Sequence, residues 1–153
     1  MEHITRLFDF LSHQLQHMPQ ADMLCSKEVN GWRKWSTQEV HETAQRLAGG
    51  LYQLGFGNVT SDVEARDKIA VISKNCPEWM LLDLACQQIG IILCPVYPTT
   101  HPDEIQFIFN DAEIKAVFVH GQALLEKVQS IQPQVPSLQH IFMFDDSGDA
   151  SMK

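Results

Sequence analysis

The sequence predicts an α/β fold: a mainly parallel sheet with flanking helices, plus a small antiparallel hairpin near the N-terminus. Three observations carry that expectation. From Asp67 to Phe144, short apolar runs alternate with helix-patterned segments across brief polar connections, the order of successive β-α-β units. The apolar runs are continuous, as suits strands covered on both faces. Ahead of them, Asn30-Gly31 stands between Val29 and Trp32, a two-residue hairpin signal. With 153 residues the chain fits one domain around one core.

The elements follow in order. Ile4, Leu7, Phe8, Leu11, Leu15 and Met18 share one helical face, and Pro19 closes that helix. Met23 to Trp35 forms the hairpin, with Asn30 and Gly31 as turn residues because both positions need positive φ. Ser36 and Glu39 make a capping box, Val40, Ala44, Leu47, Ala48 and Leu51 the buried stripe behind it, and Gly55 the left-handed stop. Residues 57–66 read as a polar loop.

Ile69 to Ile72 is the first strand of the parallel set. Asn75 and Glu78 cap the next helix, with Pro77 tolerated in its first turn. Trp79, Met80, Leu81, Leu82, Leu84, Ala85 and Ile89 make it apolar nearly all round, so it packs between layers. Ile91 to Tyr97 is a strand that bends or ends near Pro95. Thr100 and Asp103 cap the next helix, which buries Ile105, Ile108, Phe109 and Ala112. Ala116 to Val119 is a strand, Gln122 to Ile131 a helix and His140 to Phe144 a fourth strand. The chain thus divides into 1–66 (helix, hairpin, capped helix), 67–144 (a βαβαβαβ segment of the same domain) and a frayed polar tail, 145–153.

Composition narrows the function classes. Lys and Arg number 11 against 19 Asp and Glu, for a net charge of -8, and no basic stripe appears, so no nucleic-acid partner is expected. No apolar run approaches the roughly 20 residues that span a bilayer, so no transmembrane segment is expected. The N-terminus lacks a basic head followed by an apolar block, and Asn58-Val59-Thr60, a glycosylation-like triplet, has no consequence without export. Cys25, Cys76, Cys86 and Cys94 show no Cys-x-x-Cys spacing, and the last three lie in or beside apolar segments. They read as free thiols in a reduced, cytoplasmic setting, with room for peripheral membrane association.

Most motif-like signals resolve into structure. His13 and His17 lie one helical turn apart but have no neighbouring Glu and no third ligand, so they read as a surface pair. Gly55-x-Gly57 follows a helix, where a helix stop fits better than a dinucleotide loop. Asp145, Asp146 and Asp149 open like a calcium loop that lacks its twelfth-position glutamate. No nucleophile elbow and no Gly-x-x-x-x-Gly-Lys loop is present. Trp79 with its Met and Leu neighbours suits an acyl pocket but suits core better. Tyr97, Pro98, Thr99 and Thr100 are the candidate ligand residues, because they join a strand's carboxyl end to a helix N-terminus. There, unpaired N–H groups and a partial positive charge favour phosphate.

Several phrases stand in a familiar order: Ile4-Thr5-Arg6-Leu7-Phe8-Asp9-Phe10, Trp35-Ser36-Thr37-Gln38-Glu39-Val40, Asp67-Lys68-Ile69-Ala70-Val71-Ile72-Ser73, Glu78-Trp79, and Pro95-Val96-Tyr97-Pro98-Thr99. With Ile105 to Asp111 and Lys115 to Val119, they resemble the N-terminal region of AMP-forming long-chain acyl-CoA synthetases of the adenylate-forming superfamily. The resemblance implies a parent enzyme that uses ATP and Mg2+ to adenylate a fatty acid and then forms its thioester with CoA. It implies that Tyr97, Pro98, Thr99 and Thr100 lie on the CoA side, although Pro98 and Thr99 stand where short-chain relatives place glycines. The family's Ser/Thr/Gly-rich phosphate loop, acidic motifs and catalytic lysine have no counterpart here, so no catalytic or metal-binding residue is assigned. The expectation is the N-terminal portion of such a ligase, inactive alone, binding no cofactor tightly, meeting the fatty acid through the rest of the enzyme, and self-associating through an exposed apolar face. The competing expectation is a stand-alone, non-catalytic binding or interaction module of the same fold.

Overall fold

The computed structural model of the protein describes residues 4–57 and 60–144. Asn58, Val59 and the tail with Asp145, Asp146 and Asp149 fall outside the described residues. The element order is α1 (Asp9–His17), β1 (Leu24–Glu28), β2 (Gly31–Trp35), α2 (Thr37–Gln53), β3 (Lys68–Ile72), α3 (Pro77–Ile89), β4 (Ile92–Val96), α4 (Pro102–Asp111), β5 (Ala116–His120), α5 (Gln122–Ile131) and β6 (His140–Phe144). A short 3₁₀ turn, Gln132–Gln134, follows α5.

The four later strands form one parallel sheet in the order β4-β3-β5-β6, and β1 pairs with β2 in a separate antiparallel hairpin. Strand alternation divides the core. Ile69, Val71, Ala116 and Phe118 meet Leu47, Ala48 and Leu51 of α2 and Leu82, Ala85 and Cys86 of α3 on one face. Ala70, Ile72, Val117 and Val119 meet Ile105 and Phe109 of α4 and Val128 and Ile131 of α5 on the other. Continuous apolar strands therefore have a cover on each side. A third cluster joins Leu11 of α1, Trp35 of the hairpin, Val40 of α2 and Leu81 of α3. Helix α3 thus packs between layers, Leu82 toward the sheet and Leu81 toward the N-terminal elements.

The capping box forms as the sequence reads it. The Glu39 backbone N–H donates to Ser36 Oγ (3.2 Å), and the Ser36 N–H donates to Glu39 Oε2 (2.7 Å). That backbone bond, with the serine hydroxyl, holds the Glu39 carboxyl below its ordinary range. Gly55, at φ +90°, follows the helix as expected. Gly57 serves a different end: at φ +96°, a side chain there would meet the Ile89 carbonyl oxygen at 3.1 Å. Its N–H donates to the buried carboxylate of Asp67 (2.9 Å), which also accepts from Lys115 Nζ (2.6 Å). Asp67 and Lys115 precede β3 and β5, so this network fastens the amino-terminal edge of the sheet.

Four expectations shift. Helix α1 begins at Asp9, and Leu7 and Met18 flank it exposed, because the Arg6–Asp9 pair (2.8 Å) closes a turn ahead of the helix. In the hairpin Glu28 faces Gly31, so Val29 and Asn30 form the turn. Gly31 alone carries positive φ there, at +138°, and begins β2. Cys76, not Asn75, is the N-cap of α3, and His101, not Thr100, that of α4. Both moves have one cause: Pro77 and Pro102 open the helices, and a residue before proline is driven to extended backbone. Cys76 sits at φ -151°, ψ 159° and His101 at φ -67°, ψ 146°.

Strand β4 is an edge strand and ends one residue after Pro95. The Ile92 N–H donates inward to the Asp67 carbonyl (2.9 Å), so by alternation position 95 faces away from β3. Proline's missing donor falls on the open edge, where no ladder bond is lost.

Candidate functional site

Three connections leave the carboxyl ends of β3, β4 and β5, where ligands gather in open parallel sheets. The first, Ser73 to Cys76, leads into α3, with Ser73 Oγ 3.2 Å from Cys76 Sγ. Burial pushes the Cys76 thiol up, against the opposing effect of the Ser73 hydroxyl. That is the opposite direction from the lowered value that activates a cysteine.

The second connection holds all four candidate residues. The Thr100 N–H donates to the Tyr97 carbonyl (3.0 Å), closing Tyr97, Pro98, Thr99 and Thr100 into one turn. The Tyr97 side chain stands 81 % exposed, while Pro98 and Thr100 are half-buried. From α5, Lys127 Nζ donates to the carbonyls of Pro98 (2.8 Å) and Thr100 (3.1 Å), setting an ammonium group beneath the turn. His101 then caps α4: its Nδ1 accepts from the Asp103 N–H (3.4 Å) and its own N–H reaches Glu104 Oε2 (3.3 Å).

The third connection passes from His120 through Gly121 into α5. His120 lines a groove of about 710 Å³ whose other walls are Leu24 to Glu28 of β1 and Lys74 to Met80. Trp79 and Met80 contribute apolar surface there, and Trp79 also packs on the sheet core, so the core reading of that residue holds. The groove does not include Tyr97 to Thr100. The carboxyl edge therefore carries two separate features: a groove above β3 and β5, and the Lys127-held turn after β4.

Sequence reasoning located the turn and missed the groove wall and Lys127. Lys127 had a weak signal: it precedes Val128 on a helix whose buried residues are Val128 and Ile131, the flank from which a lysine stem reaches back over the sheet. His120 had a clearer one, as a polar residue ending a buried strand. The His13 and His17 rings lie 4.4 Å apart on α1. Among the described residues no group of three His, Cys, Asp or Glu side chains is arranged to hold a metal ion. No helix of the described residues is long and apolar enough to cross a membrane.

This fold and carboxyl-edge geometry accompany a clear family signal. The sequence pattern described as "AMP-binding enzyme" matches residues 11–152, and the chain belongs to that family. The chain is 33% identical over 119 residues to long-chain-fatty-acid–CoA ligase 6 of Homo sapiens, covering 75% of this chain and 16% of that protein. To long-chain-fatty-acid–CoA ligase 1 of Homo sapiens it is 26% identical over 150 residues, covering 95% of this chain and 20% of that protein. The chain thus spans a fifth or less of the length of these relatives. Among solved structures, an anthranilate CoA ligase in complex with anthranoyl-AMP superposes with a TM-score of 0.74 at 21% identity, covering 92% of this chain and 25% of that one. A coronafacic acid ligase from Pectobacterium brasiliense gives 0.72 at 18% identity, covering 95% and 27%. These superpositions establish the fold.

Proposed function

We propose that this chain is the N-terminal portion of an ATP-dependent long-chain fatty acyl-CoA ligase and supplies part of that enzyme's CoA-facing wall. The observation that carries the reading is the family match over residues 11–152, joined to identity with fatty-acid ligases that runs over only a fifth or less of their length. The parent would adenylate a fatty acid and pass the acyl group to CoA, with Mg2+ and ATP held by segments beyond this one. The described residues do not fit an ATP–Mg2+ site, since no acidic cluster of metal-holding arrangement occurs among them. No chemical step is therefore derived through that group.

The Lys127-held turn fits an anionic nucleotide better. Two of the three Lys127 N–H donors hold the turn, which leaves one donor and a positive charge beside Thr99 and Thr100. Exposed Tyr97 adds a ring on which a base can stack. In this reading Tyr97, Pro98, Thr99 and Thr100 form a binding wall and Lys127 positions them.

The test is to purify, from its source, the polypeptide that contains residues 1–153, and to assay fatty-acid-dependent AMP release with ATP and CoA. AMP release and acyl-CoA formation are expected. A polypeptide that contains these residues, folds and releases no AMP with any fatty acid would overturn the assignment. The 153-residue chain alone is expected to give no fatty-acid-dependent pyrophosphate exchange.

A further inference from the structure

We infer that the groove between β1 and the start of α3 takes up one extended strand, supplied by the same polypeptide from beyond β6. The hairpin register sets out the backbone groups. Glu28 and Gly31 flank the two-residue turn and so exchange both their hydrogen bonds, as do Ser26 with Arg33 and Leu24 with Trp35. The intervening Cys25 and Lys27 therefore turn their N–H and C=O groups away from β2. The hairpin is a two-stranded sheet, and among the described residues no backbone hydrogen bond reaches those groups.

The groove follows that open edge. Every residue of β1, Leu24 to Glu28, lines it, and no residue of β2 does. A groove over the face of a strand meets alternate residues, whereas one that meets each residue in succession runs along the edge. The far wall is Lys74 to Met80, where Trp79 and Met80 bring apolar surface. A strand laid between the two walls bonds Cys25 and Lys27 through its main chain and sets alternate side chains against Trp79 and Met80. Apolar residues are expected at every second position of it. Charge takes no part in the choice, since Lys27 and Lys74 are balanced by Glu28 and Glu78 along the groove.

The source of the strand follows from where the chain leaves the sheet. Phe144, the last residue of β6, is the register partner of His120, and His120 lines the groove, so the polypeptide departs beside it. The ligase relatives match this chain over a fifth or less of their length, which leaves ample chain to supply a strand. A second copy fits less well. Its own Lys74 to Met80 wall stands in front of its β1 edge and would come between the two strands. The inference rests on the ligase reading proposed above, which provides the longer polypeptide.

Backbone amide exchange, read residue by residue, tests it without any substitution. In the 153-residue chain the Ser26 and Glu28 amides, bonded to β2, are expected to exchange slowly, and those of Cys25 and Lys27 fast. In the polypeptide purified from its source, Cys25 and Lys27 should slow by about tenfold or more. Equal exchange of these two amides in both proteins would overturn the inference. So would protection that grows with concentration in the 153-residue chain, which would assign the edge to a second copy. Lys27→Pro removes a donor that β2 does not use. In the source polypeptide it should return Cys25 to the rate of the isolated chain while Ser26 stays slow; Cys25 still slow beside that proline would count against the added strand. AMP release decides the ligase reading separately. A source polypeptide that releases AMP and leaves Cys25 and Lys27 fast overturns this inference alone, and one that protects them without AMP release overturns only the ligase assignment.

Discussion

Ser36 supplies one hydroxyl to one backbone N–H, and its loss exposes how much a single cap contributes. Ser36→Ala should cost about 1 kcal/mol in urea unfolding, because the Glu39 N–H loses its acceptor. Asp83 behaves in the opposite sense to a paired carboxylate. Burial raises its value although Gln87 donates to it at 2.7 Å. A folded-state value above the unfolded one means that protonation favours the fold. Its contribution is present below the ordinary carboxylate range and is lost as pH rises through the folded value. Asp83→Asn should therefore be more stable than the parent at neutral pH, with the gap closing on acidification; a gap that widens in acid would refute the sign. Among the thiols, burial pushes Cys86 up to about 12, whereas Cys25 is exposed. A thiol reagent should modify Cys25 in the folded chain and reach Cys86 only as fast as the protein opens.

Elements show where local sequence rules suffice. Strands β3, β5 and β6 were legible as short continuous apolar runs, and helix α5 because its buried Val128 and Ile131 fall three residues apart. The caps of α3 and α4 were misplaced by one residue each because the side-chain preferences of Asn75 and Thr100 were weighed above the steric demand of Pro77 and Pro102. The candidate turn was readable, as any strand end that meets a helix start is. The groove was not, because its wall is β1, some fifty residues before α3 in sequence terms of influence on the site, and only tertiary packing brings them together. Lys127 was hidden for the same reason: its two acceptors lie on another connection. Lys127→Met should destabilise the fold by about 2 kcal/mol and speed amide exchange at Thr100, as the turn loses its charged donor. Leu82→Ala, at a fully buried site between α3 and the sheet, should cost about 3 kcal/mol in the same unfolding assay.

At the scale of the molecule, two of the three apolar clusters share α3, which ties the hairpin and α1 to the sheet through Leu81 on one side and Leu82 on the other. We also propose that the isolated chain self-associates through the edge of β6, whose Ile141, Phe142 and Met143 are half-buried. Sedimentation velocity should show mass rising with concentration, and Phe142→Lys should abolish the rise. The two margins of the sheet are unequal partners in this. On β4, the outward donors belong to positions 93 and 95, and the second of these is proline. Strand β6 has no proline at all. Strand addition is therefore expected to be directional, with β6 the margin that offers a full ladder of backbone groups and β4 the margin that Pro95 interrupts.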